Sequence, residues 1–180
     1  MRTTMAALAT ATLLALPPIS LAQSAAASTT PAPAAASCSQ SYLPLPDPAC
    51  QPGATNPDVT QATIHQTICV GGYSSSIRPP SSYTTALKKQ QIAEYGYSDT
   101  DLADYEEDHM INLSLGGAPR DPKNLWPEPR YEAGGSTAAD KDDVEFKLYR
   151  AVCDDKVQLV PAQLAIAKNW RTALHDLGLE

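Results

Sequence analysis

Proline sets the first limit on this chain. Sixteen of its 180 residues are proline. Each removes a backbone donor and blocks a helix interior, so an all-helical bundle is excluded. Pro17-Pro18, Pro79-Pro80, Pro127 and Pro129 also mark where elements must stop. The length suits one domain plus a tail. No apolar stretch reaches the roughly 20 residues that a membrane span needs.

The N-terminus reads as an address. Arg2 precedes an apolar run from Met5 to Leu16, and Ser20-Leu21-Ala22 places small residues before Gln23. That is the layout of a secretory signal peptide over residues 1–22, so the mature chain is expected to be secreted or periplasmic. Residues 23–55, rich in Ala, Pro and Ser, are expected to form a disordered leader. The packed domain is then 56–180. Four cysteines in an exported chain imply disulfides, with three connectivities open. Cys38–Cys50, around a Pro-rich loop, and Cys69–Cys153, inside the domain, are the favoured pairs. Without a C-x-x-C pair or a close Cys/His spacing, zinc on these cysteines is not expected.

Within the domain, residues 63–70 (TIHQTICV) are β-rich and end at Gly71-Gly72, which predicts a strand and turn. Ser81 or Ser82 opens a helix from Tyr83 to Tyr95 that Gly96 closes. Residues 105–115 predict a strand ending at Gly116-Gly117, and Asn124-Leu125-Trp126 a second extended piece. Thr137-x-x-Asp140 has capping-box spacing for a helix to about Cys153, with Val144, Leu148 and Val152 on one face. A last helix begins at Pro161 and carries Ile166, Trp170, Leu174 and Leu177 inward until Gly178. The fold class is α+β.

Thirteen Lys+Arg against 20 Asp+Glu give a net charge of −7. That balance argues against broad electrostatic binding of nucleic acid, though not against a metal that meets phosphate locally. The acidic run 99–108 lacks the glycine and the closing glutamate of an EF-hand loop.

The informative stretch is 108–145, DHMINLSLGG…NLWPEP…KDDVE. It resembles the His-Asn-His nuclease family, whose ββα-metal core joins two short strands to a helix. A wider likeness to small exported bacterial proteins with such a core covers roughly 56–171. The resemblance implies a ββα core preceded by a strand and helix and followed by a C-terminal helix pair. It also implies a metal-dependent nuclease acting on nucleic acid. Asp108 matches the metal-binding carboxylate, His109 the general base, and Asn124 the central residue that holds the loop and orients the imidazole. Neutral imidazole suits proton abstraction from water, and hard oxygen ligands suit Mg²⁺, the expected cofactor. The family's helix usually carries His or Asn as a second ligand, and this helix has neither. Asp140 is the first substitute, then Glu145, with the Thr137 hydroxyl a third. Asp140 is expected to face Asp108 and His109, while Lys141 pairs with Glu145 four residues on. Arg120, Lys123 and Arg130 flank the motif as phosphate contacts or solvated side chains. Trp126 is expected in the core, and His65 and His175 away from the site. The rival reading is a catalytically degenerate exported module that keeps the scaffold and binds a protein or envelope partner.

Overall fold

The computed structural model describes residues 37–180. The expected signal peptide lies outside them, as does the start of the expected leader. The described residues form a small mixed α+β domain. In chain order they give α1 (Tyr73–Ile77), α2 (Ser81–Tyr95), β1 (Tyr105–His109), β2 (Leu125–Pro129), α3 (Ala138–Cys153), α4 (Leu159–Asn169) and α5 (Ala173–Asp176), with short 3₁₀ turns between.

The sheet is one antiparallel pair in which Tyr105 faces Pro129, Asp108 faces Trp126 and His109 faces Leu125. Two prolines are tolerated in β2 because a two-stranded sheet has only edge strands. Helix α2 lies over this pair, and its thin apolar stripe is supplemented by polar contacts. Lys88 Nζ donates to the carbonyls of Leu102 (2.6 Å) and Tyr105 (2.8 Å), and Gln91 Nε2 donates to that of Leu125 (2.7 Å). These bonds satisfy strand carbonyls that a third strand would otherwise take. Ile92, Tyr95, Tyr97, Tyr105 and Trp126 fill the space beneath. The larger core gathers Ile64, Ile68, Ile111, Leu115, Leu148, Val152, Ile166, Trp170 and Leu174 from every other part of the domain.

Several expectations are corrected. The strand expected at 63–70 is a 3₁₀ turn, Ile64–Gln66, continued by local bonds from Cys69 N to Ile64 O and Val70 N to Thr67 O. Among the described residues no strand pairs with it, and Ile64 and Ile68, four apart, are both buried in the core. The strand expected at 105–115 ends at His109. Leu113–Leu115 is a 3₁₀ turn closed by Gly116 in the left-handed region, φ 73°. The last helix is two, α4 and α5, interrupted where the Trp170 indole donates to the Pro44 carbonyl (3.2 Å).

The leader expected over 23–55 is corrected in its described part. Residues 37–55 pack on the domain. The Asp47 amide donates to the Tyr95 hydroxyl (3.0 Å), Gly53 N to Lys123 O (3.0 Å), and Thr55 bridges Gly117. A low share of large side chains did not prevent this. Backbone bonds hold the segment to the domain, Cys38, Leu43 and Leu45 pack against the two cores, and the Cys38–Cys50 disulfide closes its loop. The second disulfide, Cys69–Cys153, ties the turn after Ile64–Gln66 to the end of α3. Among the described residues no helix is long and apolar enough to cross a membrane.

Candidate functional site

Asp108 and His109 close β1, and because neighbouring strand residues face opposite ways they reach different parts of the structure. His109 is 3% exposed. Its Nε2 lies 3.2 Å from the Pro119 carbonyl, an acceptor only, so the proton sits on Nε2. Burial holds the imidazole below its ordinary pKa against the pull of Asp108, with Arg78 and Lys141 adding to the effect.

Asn124, fully buried, closes the 3₁₀ turn Pro122–Asn124 just before β2. Its Oδ1 accepts from the amides of Ile111 (2.9 Å) and Ala54 (3.3 Å), and its Nδ2 donates to the carbonyls of Ile111 and Ala118 (both 3.0 Å). One amide thus braces the loop between the strands and docks the 37–57 segment onto it. Gly117 completes that brace. A Cβ there would fall 1.6 Å from the Ile111 carbonyl oxygen, so only glycine fits.

The helix presents a different residue from the one expected. Asp140 is exposed and its carboxylate accepts from Thr137 N (2.7 Å) and Thr137 Oγ1 (2.9 Å), completing the capping box. Those two bonds lower its pKa. The next residue turns inward. Lys141 is 1% exposed, and its ammonium donates to Asp108 Oδ2, to Glu145 Oε1 and to the His109 carbonyl (3.0 Å). Three N–H donors meet three acceptors. Burial alone would lower the Lys141 pKa, but Asp108, Glu145 and Glu128 outweigh it and raise it well above the usual value. Asp108 is likewise held low by Lys141 in spite of burial.

Two further carboxyls complete the cluster. Glu128, 3% exposed on β2, shares a hydrogen bond with the Asp108 carboxyl. Burial raises Glu128 well above its ordinary range, against the attraction of Lys141 and helped by the neighbouring Asp108. Glu145 is pushed up to about 8 by burial against the attraction of Lys141.

This arrangement overturns the metal-dependent reading. Among the described residues no group of three or more His, Cys, Asp or Glu side chains is placed to hold a metal ion. An ammonium stands among the carboxylates, Asp140 is turned to its own helix cap, and the His109 ring bonds to a loop carbonyl. The donors present do not fit Mg²⁺, which needs several oxygens around an open centre. The Asp108–Asp140 metal pair, the divalent cofactor and the His-Asn-His-type endonuclease activity are withdrawn together.

Sequence reasoning missed Lys141 as a buried residue and Glu128 altogether. For Lys141 the signal was present: Leu148 lies seven residues on, about 700° around a helix and so ~20° from Lys141, whereas Asp140 is ~80° away. For Glu128, between two prolines, no sequence signal pointed inward.

Fold and cluster together define a class: a small, doubly disulfide-tied α+β domain with a buried Asp-Lys-Glu cluster at its sheet–helix junction. No protein-family model, no curated protein and no solved structure matches the chain.

Proposed function

We propose that the chain is an exported module that keeps a ββα scaffold of the His-Asn-His type without its metal chemistry, and binds a protein or cell-envelope partner. The observation that carries this reading is Lys141. Its ammonium takes the position between strand and helix that a cation would need in such a scaffold, and satisfies the same carboxylates from within the chain. Strand, braced loop, strand and helix follow one another in the order that the resemblance implies. Asn124 and Gly117 then serve architecture, and the buried His109 is closed to a large substrate.

A surface for a partner lies on the far side of α3. Phe146 is 64% exposed. It borders a depression of about 240 Å³ with Leu174 and Leu179 on its floor and Lys147, Arg150 and Lys156 at its edge. An apolar floor with a basic rim suits an acidic protein surface or an anionic envelope component.

Two measurements test the reading. Titration calorimetry of the purified chain with Mg²⁺, Mn²⁺ and Zn²⁺ is expected to give no stoichiometric binding, and DNA and RNA are expected to stay intact. Chelator-sensitive cleavage lost in His109→Ala would overturn the first half of the proposal. Saturable co-sedimentation with envelope fractions, weakened by Phe146→Asp, is expected for the second half. Its absence at micromolar concentrations would overturn that half.

A further inference from the structure

A buried lysine in contact with a carboxylate, with a second buried carboxyl on the same face of the sheet, is an arrangement for amide formation. Lys141 Nζ touches Asp108 Oδ2 across the sheet–helix junction. Glu128, buried on β2, comes from the same face of the strand pair as Asp108, two residues along from its partner Trp126. We infer that the folded chain goes on from this ion pair to an intramolecular isopeptide bond between Lys141 and Asp108, with Glu128 as the acid that moves protons for its formation.

The step is a dehydration that needs no co-reactant. In the resting cluster the proton sits on Nζ. Transfer along the existing hydrogen bond to Asp108 Oδ2 gives a neutral amine beside a neutral acid and removes two charges from a dry site. The Nζ lone pair then attacks Cγ, and the carbonyl pair moves onto the second carboxyl oxygen, which takes the proton of Glu128. As the intermediate collapses, the Cγ–O bond breaks and the departing oxygen leaves as water with a proton from Nζ, while Glu128 recovers its own. One Nζ–Cγ bond forms, one Cγ–O bond breaks, and one water is released. In solution this condensation is slow and poorly favoured. Here Nζ is held against the Asp108 carboxyl inside one folded chain, which makes the step intramolecular and raises the effective concentration of amine far above any in solution.

Asp108 is chosen over Glu145, although both touch Nζ, because Glu128 shares the strand pair with Asp108 whereas Glu145 lies on α3. The Asp108 side chain is also 14% exposed, which gives the released water a way out. The His109 carbonyl and Glu145 hold Nζ in place from two further directions. The product exchanges a buried ion pair for a neutral amide and ties β1 to α3.

The test is mass mapping of the purified, reduced chain after trypsin. Without the bond, residues 90–120 and 131–141 are separate peptides. With it, trypsin cannot cut after the acylated Lys141, and 90–120 appears joined to 131–147 at the summed mass less one water. The expected result is the branched peptide with loss of the free 90–120 peptide. Free 90–120 and free 131–141 in full yield would overturn the inference. So would a loss of water confined to 131–147, which would place the bond on Glu145 or another acid of that helix. Glu128→Gln keeps a hydrogen-bond donor but cannot pass a proton, and is expected to slow linkage at least ~10²-fold. Linkage at an unchanged rate in that variant would remove Glu128 from the mechanism and overturn the proposal as stated.

Discussion

Glu107 gives a direct test of the electrostatics of this sheet. It sits opposite Pro127 in the strand pair, and both its carboxyl oxygens are buried without a hydrogen-bond partner. Burial pushes its pKa up to about 8 from 4.5, with Lys88 opposing and Asp108 adding to the effect. The unfolded chain therefore releases this proton near pH 4.5 while the folded chain keeps it to about pH 8. Between those values the native state binds more protons, so stability falls as pH rises and levels off above 8. At 1.36 kcal/mol for each pH unit, the loss reaches about 3 kcal/mol by pH 7 and about 5 kcal/mol at the plateau. Water at the edge of a part-buried residue trims both figures, to about 2 and about 4 kcal/mol. Glu107→Gln keeps the shape and stays neutral. It is expected to match the parent below pH 4.5, and to exceed it by about 2 kcal/mol at pH 7, or roughly 4–8 °C in Tm. Urea unfolding followed by tryptophan fluorescence from pH 4 to 8.5 measures this. Glu145 and Glu128 titrate with the same sign in both proteins, so they cancel in the difference. A difference independent of pH, or one that shrinks as pH rises, would refute the reasoning.

Asn124→Ala should strand two buried and two part-buried backbone groups and lower stability by ~3 kcal/mol, read by the same unfolding curves, whereas a loss below 1 kcal/mol would mean the brace is redundant. Asp140→Ala should cost ~1 kcal/mol through the lost capping box and leave the affinity for divalent cations unchanged; altered Mn²⁺ affinity in calorimetry would return Asp140 to a ligand role. Removing Cys69–Cys153, which closes 84 residues of separation, should destabilise by ~4 kcal/mol, and removing Cys38–Cys50, which closes 12, by ~3 kcal/mol. Equal or reversed losses in thermal denaturation would argue that strain, rather than chain entropy, sets them.

The sequence by itself determined the elements whose signals are local. Gly96 ends α2, Thr137 and Asp140 cap α3, and Leu148 and Val152 mark its buried face, because caps and helical stripes depend on residues within one or two turns. The pairing of β1 with β2 was implied by the likeness to a ββα core, and the two disulfides are the favoured pairs among three open connectivities. Tertiary structure decided what distance hides. Residues 63–70 have strand composition but no neighbour to pair with, so they turn. Residues 37–55 look like a linker, yet they pack because Asn124, Tyr95 and Lys123, far along the chain, offer the partners. At the site, the order of residues placed Asp108, His109 and Asn124 near one loop but could not say what the helix would bring to them. That choice turns on ~100° of helix rotation between Asp140 and Lys141. The buried faces of Leu148 and Val152 set that rotation, and it delivers an ammonium to the carboxylates in place of another acid.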